Sequence, residues 1–100
     1  MDVSVWRNNQ TYGIRVGNAN RAQYFNHEWQ TIEVEIDGAW YEFNLTPGFW
    51  NHCPEFRESR RNPVISNWLR NNNLLNWDRG HPPHLQLNPV GGNRFRLETR

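Results

Sequence analysis

Apolar and polar positions alternate most cleanly between Thr31 and Thr46. Ile32, Val34 and Ile36 interleave with Glu33 and Glu35. Asp37-Gly38 follows, and then Ala39, Tyr41, Phe43 and Leu45 interleave with Trp40, Glu42 and Asn44. Period-two alternation on both sides of Asp-Gly predicts a β-hairpin with a two-residue turn, because this dipeptide tolerates the positive φ such turns need. That turn sets Ile36 opposite Ala39, Val34 opposite Tyr41 and Ile32 opposite Phe43. All of them fall on one face, so the turn and the pattern agree on the register. The other face carries Glu33, Glu35, Trp40, Glu42 and Asn44, with Glu33 opposite Glu42 in a mildly unfavourable pairing.

Elsewhere the pattern is shorter. Tyr12, Ile14 and Val16 alternate with Gly13 and Arg15 as a strand, and Val3 and Val5 suggest another. Gly17 to Trp29 is long, polar and aromatic with no clear period; it reads as a loop, part of it a short strand or turn. Loops of this length inside a small domain commonly carry function. Asn62-Pro63 reads as a helix start, an Asn cap followed by proline at the first helical position. Val64, Ile65, Trp68 and Leu69 then give one apolar stripe, predicting a helix from Pro63 to Arg70 that frays in Asn71-Asn72-Asn73. Leu74, Leu75 and Trp77 are expected to pack beneath an Asp78-Arg79-Gly80 turn. Near the C-terminus Leu85 and Leu87, then Phe95 and Leu97, mark a second hairpin. A turn at Gly91-Gly92 would set Leu87 against Arg96. An odd loop from Pro89 to Asn93, with a bulge at a glycine, sets Leu87 against Phe95 and Leu85 against Leu97. Its outer face then carries Gln86, Asn88, Arg94 and Arg96. The order predicts one α+β, mostly β domain over residues 1–100: a small bent sheet or partly open β-barrel with one short helix.

Composition sharpens this picture. Of 100 residues 14% are aromatic, so the core must rest on large rings rather than on many aliphatic side chains. No apolar run approaches the length of a membrane span. The N-terminal residues show no basic stretch leading into an apolar one, and the single cysteine, Cys53, has no internal disulfide partner; the expectation is a cytoplasmic protein. Formal net charge is only +1, yet all 11 basic side chains are arginine and there is no lysine. Asparagine occurs 15 times. Arginine is the planar fork suited to phosphates and guanine edges, and asparagine suits adenine edges and tight turns alike.

The absence of lysine excludes several chemistries. A Walker-type phosphate loop needs its lysine, a Schiff-base enzyme needs an amine, and the usual Glu-x-Lys nuclease core is missing. His52-Cys53 and His81-Pro82-Pro83-His84 offer ligand atoms, but without the paired spacing of zinc sites, so no metal and no cofactor is expected. Cys53 lies among aromatic anchors and before Pro54, the ordinary setting of an inert small side chain. Glu33, Glu35 and Glu42 share a strand face, which suits a solvated sheet surface better than glycosidic acid–base work in a chain of this length.

What remains favours nucleic acid. Arg15, Asn18, Asn20, Arg21, Gln23 and Tyr24 lie on or beside the long polar segment, and Gln86, Asn88, Arg94 and Arg96 share a strand face. Arg57, Arg60 and Arg61 precede the helix, where they suit phosphates. The layout resembles the B3-like pseudobarrel DNA-binding domains: the strand ending Ile14-Arg15-Val16, a polar arm from Gly17 to Trp29, the strand from Thr31 to Ile36, a helix, and closing strands Leu85-Gln86-Leu87 and Arg94-Phe95-Arg96-Leu97. That resemblance implies two arms gripping the DNA major groove, the first at Gly17 to Trp29 and the second near Asn44 to Trp50. The reading is a non-catalytic domain that binds double-stranded DNA. Two alternatives stand beside it: a protein- or carbohydrate-binding module using Trp40 and the glutamate face, and a small metal-dependent enzyme around His52, Cys53, His81 and His84.

Overall fold

The structure, a computed structural model, describes residues 1–99. Its strands are β1 (Asp2–Asn8), β2 (Thr11–Arg15), β3 (Thr31–Ile36), β4 (Ala39–Asn44), β5 (Glu55–Arg57), β6 (His84–Gly91) and β7 (Arg94–Thr99). Helices α1 (Asn18–Tyr24), α2 (Pro47–Trp50) and α3 (Val64–Asn71) interrupt them. All seven strands form one sheet in the order β4-β3-β7-β6-β1-β2-β5, antiparallel except for the parallel β3–β7 pair. The fold is α+β and mostly β, as the pattern predicts.

The first predicted hairpin has the expected register. Ile36 pairs with Ala39, Val34 with Tyr41 and Ile32 with Phe43, and Asp37 and Gly38 adopt φ of 51° and 83°. The second differs in detail. Leu87 pairs with Leu97 and Leu85 with Thr99, two residues from the expected register. The connection is a two-residue turn at Gly92-Asn93, and a bulge between Pro89 and Gly91 absorbs the extra residue. A shift of two keeps every side chain on its face, so Leu85, Leu87, Phe95 and Leu97 are all buried.

The helices depart further from expectation, with three present instead of one. The polar segment after β2 contains α1. In α3 the helix begins at Val64, Pro63 takes the cap position, and no side chain caps it there. The first-turn N–H of Ser66 is met instead by the buried carboxylate of Glu58, at 2.7 Å. The same carboxylate accepts from the Ser66 hydroxyl and from the Tyr12 N–H at 3.0 Å, joining α3 to β2. At the other end the expected fraying is replaced by a closed cap. Asn73 takes φ 58°, its N–H donates to the Arg70 carbonyl at 3.2 Å, and the Leu74 N–H donates to the Leu69 carbonyl at 2.8 Å. This is the Schellman arrangement, with asparagine in the left-handed position glycine usually fills.

Side chains from every strand meet in one core, including Val3, Ile14, Ile32, Phe43, Phe56, Leu87 and Phe95. Phe25, Phe49 and Trp29 cluster around Phe95 on the α1–α2 side, while Ile65, Trp68 and Leu69 of α3 join the same core. The sheet curls until its two edges face each other, and Phe43 of β4 meets Phe56 of β5 with ring centroids 5.0 Å apart. The edges do not pair, and a cleft of about 270 Å³ lined by Tyr41, Asn44, Glu55 and Ser59 separates them.

Candidate nucleic-acid interface

Helix α1 follows directly from the end of β2. Val16 and Gly17 both donate to the Pro54 carbonyl, at 2.9 and 3.4 Å, and Gly17 then turns the chain with φ 84°. That conformation is cheap only without a Cβ. The helix buries no residue, which is unusual for an element of a small domain. It is fastened by polar contacts instead. The Asn20 amide donates to the carbonyls of Asp2 at 2.8 Å and Val16 at 3.0 Å. The Arg21 guanidinium donates to the carbonyls of Phe49 at 2.6 Å and Asn51 at 3.2 Å, tying α1 to α2. Asn20, Arg21 and half-buried Tyr24 therefore form the attachment. Asn18, Ala22 and Gln23 are exposed on the free side, and exposed Arg15 precedes the helix by three residues.

The strand residues expected to join them have other partners. Because β3 and β7 pair in parallel, Glu33 lies beside Arg94 and Glu35 beside Arg96. Arg94 bonds Glu33 at 3.2 Å, and Arg96 makes a short bond to Glu35. The hydrogen bond and then the charge of Glu35 hold the Arg96 guanidinium above its ordinary range, against an opposing desolvation and with a smaller contribution from the charge of Glu98. Gln86 reaches Asp2 at 3.4 Å, and Asn88 stands opposite Arg96 in the β6–β7 backbone ladder. The acidic and basic strand faces are thus one mixed-charge surface. Its Trp40 ring already carries the Arg94 guanidinium, 4.0 Å from the centroid, so the components of a Trp40-centred site are engaged with each other.

Arg60 and Arg61 are exposed in the turn after β5 and have no ion pair among the described residues. Arg60 lines a hollow with Asn9 and Gln10, at the opposite end of β2 from α1. The twelve expected residues therefore fall into three places. His52 and Cys53 follow α2, and His84 begins β6 against Asp2; no three His, Cys, Asp or Glu side chains among the described residues gather in a way that would hold a metal ion. Arg7, Arg79, Trp6 and Trp77 were not among the expected site residues; Trp77 and Arg79 were expected only in packing and in a turn. Their signal was the placing of an arginine within two residues after each tryptophan, Trp6-Arg7 and Trp77-Asp78-Arg79.

No family model matches the chain, and no curated protein or solved structure matches it.

Proposed function

We propose that this chain is a non-catalytic domain that binds double-stranded DNA, with the free face of α1 as its reading element. One observation carries the reading: α1 buries no residue fully and touches the core only through half-buried Tyr24, yet it is held in place by four side-chain hydrogen bonds and turns Asn18, Ala22 and Gln23 to solvent. A helix fits the major groove, where amides pair bidentately with adenine and a methyl group contacts thymine. Arg15, at the foot of the helix, suits a flanking phosphate. The B3-like layout, with its first arm at this segment, supports the same assignment. The β7 arginines, balanced by glutamates, are left out of the contact.

The test is fluorescence anisotropy on a duplex selected from a randomised pool by the intact protein. Asn18→Ala with Gln23→Ala should weaken binding to the selected duplex by about tenfold or more, with little change on an unselected duplex. Arg94→Ala with Arg96→Ala should change neither by more than about twofold. Equal losses on both duplexes in the α1 variant, or no selectable sequence, would remove α1 from the role of reader. No duplex binding even at low salt would sink the function itself.

A further inference from the structure

We propose that a second site on this protein, which shares Arg15 with the α1 surface, binds phosphate groups: the hollow between β1 and the segment Trp77–Pro82. It does not depend on α1 reading bases. Pairing between β1 and β6 stops at Ser4 with His84, supplemented by a bond from the Val5 N–H to the Pro83 carbonyl. Beyond that point residues 77–82 peel away from β1. The resulting concavity holds about 440 Å³ and is lined by Trp6, Arg7, Arg15, Trp77 and Arg79, with no carboxylate on its wall.

One of its arginines, Arg7, is held in position by an indole, and a neighbouring arginine is held in the same way. Arg7 lies over the Trp77 ring at 5.2 Å, and Arg57 lies over Trp6 at 4.4 Å on the neighbouring surface. The indoles are themselves fixed. Trp77 meets the edge of Tyr12 at 6.1 Å. Trp6 lies against Gly13, where even a Cβ would stand 3.1 Å from the ring and 2.4 Å from the Phe56 carbonyl oxygen. Stacking on a fixed indole removes rotamer freedom from a guanidinium while leaving its N–H edge free, so little order remains to be imposed when an anion binds. The buried Glu55 balances part of the charge, at 3.9 Å from Arg15 and 3.1 Å from Arg57. Arg7 and Arg79 have no ion pair among the described residues, and Asp78 in the same turn is bound to neither. Several donors, with no charged acceptor on the wall, match an acceptor-only ligand bearing more than one charge. A phosphodiester run or a polyphosphate fits; a neutral sugar does not.

The chemistry is shared by nucleic-acid backbone and free phosphate esters, and the experiment separates them. Wild type, Arg7→Ala with Arg79→Ala, and the single variant Arg79→Glu are titrated with a random-sequence duplex across a salt series and with inorganic tripolyphosphate. Arg79 stacks on no ring, so its variant preserves the packing whatever becomes of the double variant. If backbone phosphate is the ligand, the double variant should bind the duplex at least tenfold more weakly, and the slope of log affinity against log salt should fall by about two, one for each lost phosphate contact. Tripolyphosphate binding that is lost in Arg79→Glu, without duplex binding, supports the site with a free phosphate ester as its source and separates its fate from that of the α1 reading. Unchanged titrations of both ligands in Arg79→Glu would overturn the site.

Discussion

Glu58 accepts three hydrogen bonds in the core, from Tyr12, the Ser66 backbone and the Ser66 hydroxyl, and is only 7% exposed. Removing it leaves buried donors facing no acceptor, the costly side of the hydrogen-bond asymmetry. Glu58→Ala should therefore lose about 3 kcal/mol or more in urea unfolding, lowering the melting temperature by roughly 12 °C or more. A loss below about 1 kcal/mol would mean that water enters through the hollow beside Arg60 and replaces the carboxylate. Nothing local in the sequence singled out this residue. It stands in a mixed-charge run from Glu55 to Arg61 with no apolar alternation to mark it as buried, and one of its partners, Tyr12, lies 46 positions away. Leu85, Leu87, Phe95 and Leu97 were legible as core for the opposite reason, because strict alternation fixes a face even where the register is misjudged by two.

At the scale of elements, the Thr31–Thr46 hairpin was readable to the residue because its turn and its two alternating strands independently demand one register. Helix α1 was not, since it has no apolar stripe; its stability comes from Asn20 and Arg21 reaching carbonyls supplied by distant segments. The end of α3 was misread because three consecutive asparagines suggest disorder, whereas Asn73 makes the left-handed turn that closes the cap. Asn73→Val should cost about 1–2 kcal/mol, because a β-branched residue resists that conformation, while Asn73→Gly should be neutral or slightly stabilising. Parallel urea melts of the two variants check this. Equal losses in both would place the contribution in the asparagine side chain rather than in its backbone geometry.

Across the whole molecule, the decisive fact is the parallel pairing of β3 with β7, between residues 61 positions apart. Each strand's outer face was legible, one acidic and one basic, but their adjacency was not, because no local pattern encodes which strands become neighbours across three intervening strands and two helices. The topology converts two charged faces into one balanced ladder. Away from that ladder, Arg21 of α1, Arg7 and Arg79 of the hollow, and Arg60 and Arg61 after β5 have no ion pair among the described residues. The ladder can be made to report on this division. Glu33→Gln with Glu35→Gln takes the formal net charge from +1 to +3 and frees Arg94 and Arg96 without altering the fold's core. Affinity for a random-sequence duplex should rise, and the salt slope should steepen by up to about two. Discrimination between selected and random sequence should fall, because the released arginines recruit backbone without reading bases. If affinity and slope stay at wild-type values, the β3–β7 surface lies outside the DNA footprint altogether. If the slope steepens while discrimination persists, that surface flanks the bound duplex and the glutamates act as its electrostatic brake.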